Sequence, residues 1–312
     1  MVADPGVAFK VAFKKVSVIT ITYNHEAFLP EALDGIIAQR TDFPVELIVA
    51  DDASKDATPE IIRDYAARYP NVIRPILREQ NSKGVDNFND ALCSAVGHYV
   101  AICDGDDYWS DPLKLAKQVA VLDSQLDVAL CFHPVRMTWV DQSEPDSEYP
   151  PLDWRRDISL SALLVRNFIA ASSVMWRRQN WYREIPTDIM PGDHYLQVRH
   201  ALQGRIAMLP DVMGVYRRHS SGLWASFEDK PRFYRQDGTA AGQAASYEAL
   251  FQLFPEPGVH RRILLELAEI VLRDMAFALG DEGLESLLKT ISDHPLFAAM
   301  ALAHLWNKEA GQ

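Results

Sequence analysis

The sequence predicts an α/β protein whose mainly parallel, mixed sheet is flanked by helices and followed by a C-terminal helical region. Short β-branched apolar runs alternate with amphipathic helical patterns from Lys15 to Phe132, an alternation typical of parallel strands joined by helices. Polar residues end each of the early apolar runs. Broad apolar helical faces after Arg261 predict the helical end of the chain.

The order of the elements follows from these patterns. Strands are predicted in the apolar runs VSVITITYN (from Val16), VELIVADDAS (from Val45), Val72 to Leu77, HYVAIC (from His98), Val128 to Phe132 and Ala170 to Trp176. Helices are predicted at His25 to Gln39, from the capping residues Ser54 and Asp56 to Pro70, and at Val85 to Val96, Leu113 to Gln125, Tyr195 to Gln203, Arg261 to Leu279 and Leu284 to Lys289. The Pro- and acid-rich segment QSEPDSEYPPLDW is predicted to be a mobile loop.

The composition limits the class of function. A net charge of −12 argues against a nucleic acid partner, because such binding depends on Lys and Arg neutralising phosphates, and it implies that a diphosphate ligand brings a cation. Cys93, Cys103 and Cys131 lie in apolar stretches without a CxxC pair, which predicts reduced core residues in a cytosolic protein. We expect no export signal and no membrane span, hence a cytoplasmic protein that is soluble or peripherally attached.

Ligands of an open parallel sheet bind at the carboxyl ends of its strands, so the polar residues there are the first site candidates. Three strand ends carry such residues: Thr22, Tyr23 and Asn24; Asp51, Asp52, Ala53 and Ser54; and Asp104, Gly105, Asp106 and Asp107. The last group has three carboxylates in four residues, which repel one another unless a cation or hydrogen-bond donors hold them. Its oxygens suit Mn²⁺ or Mg²⁺. The alternative is a solvated acidic turn before the Leu113 helix.

The end of the second strand has the chemistry to bind a base. The Asp52 carboxylate could accept the imide hydrogen of uracil, and the Tyr23 ring could lie beside the base. Helix capping by Asp51, Asp52 and Ser54 is a nearly equal alternative, and the two aspartates could divide the two roles between them.

Four elements follow one another in the first third of the chain: SVITITYN (from Ser17), ELIVADDASKDAT (from Glu46), NSKGVDNFNDAL (from Asn81) and GHYVAICDGDDYWSDPLKL (from Gly97). In their order and spacing they resemble the family-2 glycosyltransferases of the GT-A fold, with weaker similarity to about Ser226. Two features depart from the family pattern: Ile21 stands where proline is common, and Asn87, Phe88 and Asn89 stand where an Arg-Asn pair is common.

The resemblance implies a role for each site residue. Thr22, Tyr23, Asn24 and Asp52 would hold the nucleoside, and Asp104, Asp106 and Asp107 would form the DxD-type cluster that contacts ribose and metal. Asp106 and His219 would be the metal ligands. Asp193 would be the catalytic base.

Each of the two later residues has an alternative reading. Asp193, in PGDHYL, could simply cap the following helix, and His219, in YRRH, could pair with a phosphate or lie in a polar loop. Trp224 is a further candidate for stacking on a sugar ring.

The resemblance also implies the organisation and the reaction. Residues 1–225 would form the catalytic domain, with nucleotide-sugar binding in 15–110 and acceptor binding in 111–225, and residues 226–312 a helical appendage. We expect an inverting, metal-dependent hexosyl- or N-acetylhexosaminyltransferase that uses a nucleotide-sugar donor, UDP-sugar by preference. The acceptor would be a glycan or lipid-linked glycan of a bacterial cell surface.

Other classes are weighed against this one. The chain lacks the Gln-x-x-Arg-Trp signature of processive synthases, which favours single additions. The C-terminal helices could pack on the catalytic domain, form a homodimer or contact a membrane. A non-catalytic nucleotide- or glycan-binding relative is one alternative, and a sugar-phosphate nucleotidyltransferase is another, although its Gly-rich basic loop is missing. TYNHEAF lacks the GxGxxG of a dinucleotide-dependent oxidoreductase.

Overall fold

The computed structural model describes residues 15–82, 85–189, 192–220, 222, 239–277 and 288–310. The strands are β1 Val16–Thr22, β2 Val45–Asp51, β3 Ile73–Leu77, β4 Tyr99–Ile102, β5 Tyr108–Trp109, β6 Val128–Phe132, β7 Val135–Trp139, β8 Ser147–Tyr149, β9 Met175–Arg177, β10 Arg205–Met208 and β11 Gly214–Arg218. The helices are α1 Leu29–Ile37, α2 Thr58–Arg68, α3 Val85–Ser94, α4 Lys114–Ser124, α5 Leu160–Val165, α6 Gly192–Ala201, α7 Thr239–Gln252, α8 Val259–Phe277 and α9 Pro295–Ala310.

The predicted mainly parallel sheet is confirmed. Seven strands lie in the order β10-β6-β9-β4-β1-β2-β3, and β1 pairs in parallel with both β2 and β4. Only β9 runs against its neighbours β4 and β6. The strand predicted at Ala170 to Trp176 is shorter than expected, because Ala171–Ser173 form a 3-10 turn and β9 begins at Met175.

A second sheet, which the sequence patterns did not predict, has the order β5-β11-β7-β8. Its strand β8 lies inside the segment predicted to be a mobile loop and pairs antiparallel with β7. Because β5 follows the acidic cluster directly and pairs with β11, this sheet brings the segment 214–218 beside that cluster. The prediction of an unstructured loop at QSEPDSEYPPLDW was wrong at Ser147–Tyr149, where backbone pairing supplies the order that the composition does not indicate.

Apolar side chains on the two faces of the seven-stranded sheet form two cores. Ile19 and Ile48 belong to one, and their neighbours Val18 and Leu47 to the other, as the alternation along a strand requires. On the second face α1 approaches β5 so closely that a Cβ on Gly35 would stand 2.7 Å from the Trp109 carbonyl oxygen. A glycine is therefore needed there for close packing beside the acidic cluster.

Helices follow the sheet domain, as expected. Buried residues of α7, α8 and α9, such as Ala244, Leu264 and Phe297, join the same core as the sheet residue Ile19. The helix predicted at Leu284 to Lys289 falls mostly outside the described residues. Among the helices in the described part of the chain, none is long and apolar enough to cross a bilayer.

The cysteine prediction was correct for two positions and wrong for one. Cys103 and Cys131 are buried, whereas Cys93 is exposed. Cys93 follows the buried residues Ala91 and Leu92 on α3, and the next position of the helix turns outward. Burial, rather than the apolar composition of the segment, distinguishes the three thiols.

A lysine lies in the core next to the acidic cluster. Lys114 is fully buried, its Nζ donates to Oε1 of Gln118 at 2.6 Å, and it stands 4.0 Å from the centre of the Trp109 ring. Burial lowers the pKa of Lys114 from 10.5 to about 7. Between these two pKa values the unfolded chain binds a proton at Lys114 that the folded chain does not. The free energy of unfolding therefore rises with pH over this range, and the lysine destabilises the fold most fully below pH 7.

Replacing Lys114 by methionine should remove this pH dependence. The variant should gain stability relative to the wild type by about 2 kcal/mol more at pH 7.5 than at pH 9.5, since each pH unit contributes up to about 1.4 kcal/mol. Urea unfolding at both pH values measures the difference. Lys117→Met is the matched control on the same helix, because its ion pairs with Asp111 and Asp211 raise the pKa of Lys117 and place its effect above this window. An equal pH dependence in wild type and Lys114→Met would contradict the assignment.

Candidate active site

The three predicted strand ends meet at one edge of the sheet. The Asp52 amide donates to the Thr22 carbonyl at 3.0 Å, and the Gly105 amide donates to the Ile21 carbonyl at 2.9 Å. Neighbouring parallel strands therefore continue their ladder into the polar loops. The residues expected to bind donor and metal lie together, as predicted for the carboxyl ends of parallel strands.

The first two loops hold each other in place. Asn24 and Ala53 adopt positive φ angles of 56° and 63°. The Asn24 amide donates to Oγ of Ser54 at 2.8 Å, and its side-chain oxygen accepts from the Lys55 amide at 2.8 Å. Asp51 accepts hydrogen bonds from the amide and hydroxyl of Ser54. Asn24 thus has a structural role, and its predicted contact to the nucleoside stays a prediction.

The Asp52 carboxylate takes no part in capping helix α2. The Thr58 amide at the start of α2 donates to Asp56 at 3.0 Å, so Asp56 caps as predicted while Ser54 does not. Oδ1 of Asp52 accepts from the amide of Ser82 at 2.8 Å and from its hydroxyl at 2.7 Å. Asp51 orders its own loop and Asp52 is oriented by the loop after β3. Neither of them accepts from the first amide of α2, and the base contact of Asp52 stays a prediction.

The acidic cluster is a tight turn beside the first loop. A Cβ on Gly105 would lie 2.9 Å from both Cβ and Oγ1 of Thr22 and 3.0 Å from Nδ1 of His25, so only glycine fits. Thr22 is buried, whereas the neighbouring Tyr23 has 43% of its surface exposed. An exposed aromatic ring at this edge is available to a flat ligand, which is the role predicted for Tyr23.

The three carboxylates of the cluster have different surroundings. Burial raises the pKa of Asp104 well above its usual value, and the charges of Asp106 and Asp193 add to the rise. Burial alone would also raise the pKa of Asp106, but a hydrogen bond from His219 and the charges of His25 and His219 outweigh it and hold that pKa low. Asp106 is therefore the carboxylate of the cluster that stays most readily ionised.

Two histidines converge on that carboxylate. Nε2 of His219 lies 3.2 Å from Oδ2 of Asp106, and Nε2 of His25 lies 3.7 Å from the same oxygen. The two residues predicted to bind a metal thus lie side by side, while their role as metal ligands stays a prediction. His25 is a neighbour that sequence reasoning missed. Burial lowers the pKa of His25.

Asp107 has a different environment from its two neighbours. It is buried, with 2% of its surface exposed, and its Oδ1 accepts from the backbone amide of Arg217 at 3.0 Å. Burial and the charges of Asp106 and Asp104 raise its pKa well above the usual value. This carboxylate fixes β11 against the acidic turn, and its predicted ligand contact stays a prediction.

Arg217 connects three parts of the site. Its guanidinium donates to the Asp106 carbonyl oxygen at 2.7 Å and to the Glu31 carboxylate on α1. The group also stands 4.4 Å from the centre of the Tyr108 ring and is 9% exposed. A planar cation with several donors suits this position, because it satisfies a backbone oxygen and a carboxylate together.

Asp193 lies in the first turn of α6 and is partly buried. Its Oδ2 accepts from Nδ2 of Asn167 at 3.1 Å. Burial raises the pKa of Asp193, while the neighbouring His194 and the hydrogen bond from Asn167 oppose the rise. Because the charge of Asp193 also raises the pKa of Asp104, the structure brings these two sequence-distant carboxylates into one electrostatic environment.

The side chains beside the acidic turn suit a divalent cation that is bound partly by the protein and partly by a substrate phosphate. Asp106 and His219 offer one oxygen and one nitrogen at neighbouring positions. In the part of the chain that the structure describes, no group of three or more His, Cys, Asp or Glu side chains is arranged to hold an ion by itself. Mg²⁺-type sites commonly use one or two protein ligands and complete their shell with substrate phosphates and water.

This arrangement matches a family model. Residues 17–186 match the model described as glycosyl transferase family 2. The chain belongs to that family. Its matched region includes β1 to β9 and the acidic turn, so the carboxylates at the sheet edge lie in the part of the chain that defines the family.

Relatives and solved structures resemble this chain over most of its length. An uncharacterized protein of Mycobacterium tuberculosis is 51% identical over 292 residues, which are 93% of this chain and 84% of the relative. An uncharacterized glycosyltransferase of Nostoc sp. is 27% identical over 66% of each chain. Residues 1–349 of S. aureus TarS in complex with UDP superpose with a TM-score of 0.65 at 18% identity, covering 96% of this chain and 92% of that one.

A second solved structure has the same fold. A mannosyltransferase of Pyrobaculum calidifontis in complex with GDP-Man and Mn²⁺ has a TM-score of 0.53 at 20% identity and covers 96% of this chain and 89% of its own. At such identities the likeness establishes the GT-A fold that the sequence predicted.

Sequence reasoning missed four residues of this family-2 site: His25, Ser82, Asn167 and Arg217. His25 directly follows the TYN element, and Ser82 lies inside a quoted family element, so two of them had a local signal. Arg217 and Asn167 had none, because their partners lie 111 and 26 residues away. Trp224 lies outside the described residues.

Arg217→Met should destabilise the protein by about 2–3 kcal/mol, since it leaves the Asp106 carbonyl oxygen and the Glu31 carboxylate without their donor. Chemical denaturation measures the loss. Arg205→Met is the matched control, because Arg205 pairs with Asp127 at 2.9 Å on the exposed surface, where solvent screens the ion pair and little change in stability is expected. Equal losses in the two variants would show that Arg217 does not connect the parts of the site as described.

Proposed function

We propose that this chain transfers a sugar from a nucleoside diphosphate sugar, with UDP as the preferred nucleotide, to an acceptor hydroxyl with inversion at the anomeric carbon. The observation that carries the proposal is the gathering of three strand ends at one edge of the sheet, where Asp106 lies 3.2 Å from His219. Asp104 and Asp106 follow β4, Asp193 lies in the first turn of α6, and the charge of Asp193 raises the pKa of Asp104. This arrangement offers groups for a charged leaving group and a carboxylate for the attacking hydroxyl.

The donor side is built on the first two strand ends. Tyr23 offers an exposed ring, and Asp52 offers a carboxylate oriented by Ser82 that can accept the imide hydrogen of uracil. Thr22, Asn24 and Asp104 lie at the same edge, and Asp104 would contact the ribose. The UDP bound to TarS supports a uridine nucleotide, whereas the GDP-Man bound to the Pyrobaculum enzyme shows that this fold also accepts guanosine.

Asp106 and His219 would hold Mn²⁺ or Mg²⁺, and Asp107 would lie directly beside them. When bound, the ion supplies positive charge that stabilises the leaving diphosphate. The protein contributes the ionised state of Asp106, which His219 and His25 maintain. The Mn²⁺ in the complex of the Pyrobaculum mannosyltransferase supports this choice of metal.

Asp193 would act as the general base. The acceptor hydroxyl must lose a proton as its oxygen attacks the anomeric carbon, and a carboxylate within hydrogen-bond reach can take that proton. The raised pKa of Asp193 favours proton transfer near neutral pH. One displacement from the face opposite the diphosphate inverts the anomeric configuration.

The remaining parts of the proposal concern the acceptor and the cellular setting. We assign residues 1–225 to catalysis and 226–312 to a helical appendage, with transfer of a hexosyl or N-acetylhexosaminyl group in bacterial cell-surface glycan assembly on the cytoplasmic side. Helix α9 exposes three apolar residues, Leu302, Leu305 and Trp306. They could contact the membrane that holds a lipid-linked acceptor, or a second copy of the chain. These residues recur at helical spacing on one face.

Calorimetric titration with UDP tests the donor site. The wild type should bind UDP with Mn²⁺ present and lose binding on addition of EDTA, and Asp106→Asn should weaken Mn²⁺-dependent binding about ten-fold or more, because it removes a charged metal ligand. Asp211→Asn is the control, since Asp211 pairs with Lys117 at the surface. Equal UDP affinity with Mn²⁺ and with EDTA would exclude the metal-dependent site.

Asp193→Asn tests the base and separates an enzyme from a non-catalytic relative. Turnover with the UDP-sugar that the wild type uses should fall about 10²- to 10⁴-fold, because the amide cannot take the acceptor's proton, while the affinity for UDP stays the same. Turnover and calorimetry on the same preparations measure the two effects. Retention of turnover by the variant would refute the mechanism.

A further inference from the structure

Asn167 has its side-chain amide fixed in one orientation beside Asp193. Its Oδ1 accepts from the Ile169 amide at 3.2 Å, and its Nδ2 donates to Oδ2 of Asp193 at 3.1 Å. Because a backbone amide can only donate, the oxygen of Asn167 must face Ile169 and the NH₂ group must face the carboxylate. The orientation of this amide therefore follows from its own neighbours.

The segment that carries Asn167 is anchored at several points. The Tyr149 hydroxyl donates to the Asn167 carbonyl oxygen. Phe168 and Ile169 are buried in the core, and Nε2 of Gln197 on α6 donates to the Ile169 carbonyl oxygen at 3.1 Å. Since α6 also carries Asp193, the donor amide and the accepting carboxylate are held in one rigid unit.

We propose that Asn167 is a positioning residue for Asp193, which rests on the proposed role of Asp193 as base. Its NH₂ group donates a hydrogen bond to Oδ2 of Asp193, which leaves Oδ1 to face the acceptor hydroxyl. The same hydrogen bond stabilises the ionised carboxylate. Two charged groups act on Asp193 or are acted on by it: Asp104 after β4 and His194 on α6. Burial and the charge of Asp193 raise the pKa of the Tyr149 hydroxyl on β8, so that group stays neutral over the pH range of the test. Because like charges on Asp193 and Asp104 disfavour each other, a hydrogen-bond donor to Asp193 has a clear electrostatic purpose.

The nearly isosteric variant Asn167→Asp gives the sharpest test. A second carboxylate about 3 Å from Asp193 would share a proton with it, because two like charges at that distance cannot both ionise at low cost. The acidic limb of the pH profile of kcat should move up by about one unit or more, so that activity lost at neutral pH returns at higher pH. A purely structural defect would not be restored by raising the pH.

Asn167→Ala removes the donor without adding charge. It should lower kcat about ten-fold or more, shift the acidic limb in the same direction, and leave the KM for the UDP-sugar and the calorimetric affinity for UDP unchanged. Tyr149→Phe is the control for the segment, since it removes the hydrogen bond to the Asn167 carbonyl oxygen and keeps the contact with Asp193. Its acidic limb should coincide with that of the wild type.

The outcomes separate this proposal from the one on which it rests. Loss of turnover in Asp193→Asn together with unshifted acidic limbs in both Asn167 variants would overturn the positioning role alone. Retention of turnover in Asp193→Asn would overturn the base itself. Shifted limbs in both Asn167 variants and an unshifted limb in Tyr149→Phe would support the positioning role.

Discussion

Mutual repulsion among three carboxylates in four residues is the constraint on which the rest of the site depends. The structure meets it by giving each carboxylate a different surrounding. Burial raises the pKa of Asp104, His219 keeps that of Asp106 low, and Asp107 accepts a backbone hydrogen bond from Arg217. Titratable groups whose environments separate their pKa values are suited to separate tasks.

These surroundings come from elements far apart in the chain. Arg217 lies near the end of β11 and His219 follows it, and both are held beside the acidic turn by the pairing of β11 with β5 and by the hydrogen bond from the Arg217 amide to Asp107. The Arg217 guanidinium then extends to Glu31 on α1, the helix that packs against Trp109 through Gly35. The second sheet is small, but it places both the Arg217 guanidinium, which bonds to the acidic turn, and His219, which lies beside Asp106.

How much of this the sequence could predict depends on the range of the interaction. The strands β1, β2 and β4 and the carboxylates that follow them were predictable, because hydrophobic periodicity and strand-end position are local signals. The second sheet was not, since β5 has two residues and β11 is rich in polar residues. Asp193 was found through resemblance alone, and its partner Asn167 was invisible because a single side-chain contact leaves no periodic pattern.

The reversed direction of β9 has a consequence for how such a protein can change during evolution. The chain enters β9 from the edge of the sheet that bears the carboxylates, so Asn167, Phe168 and the 3-10 turn Ala171–Ser173 are anchored there before the strand begins. The hairpin between β7 and β8 lies upstream of this anchor and is exposed. Its length and composition can therefore diverge between relatives while the positions of Asn167 and of its hydrogen-bond partner Asp193 are inherited unchanged.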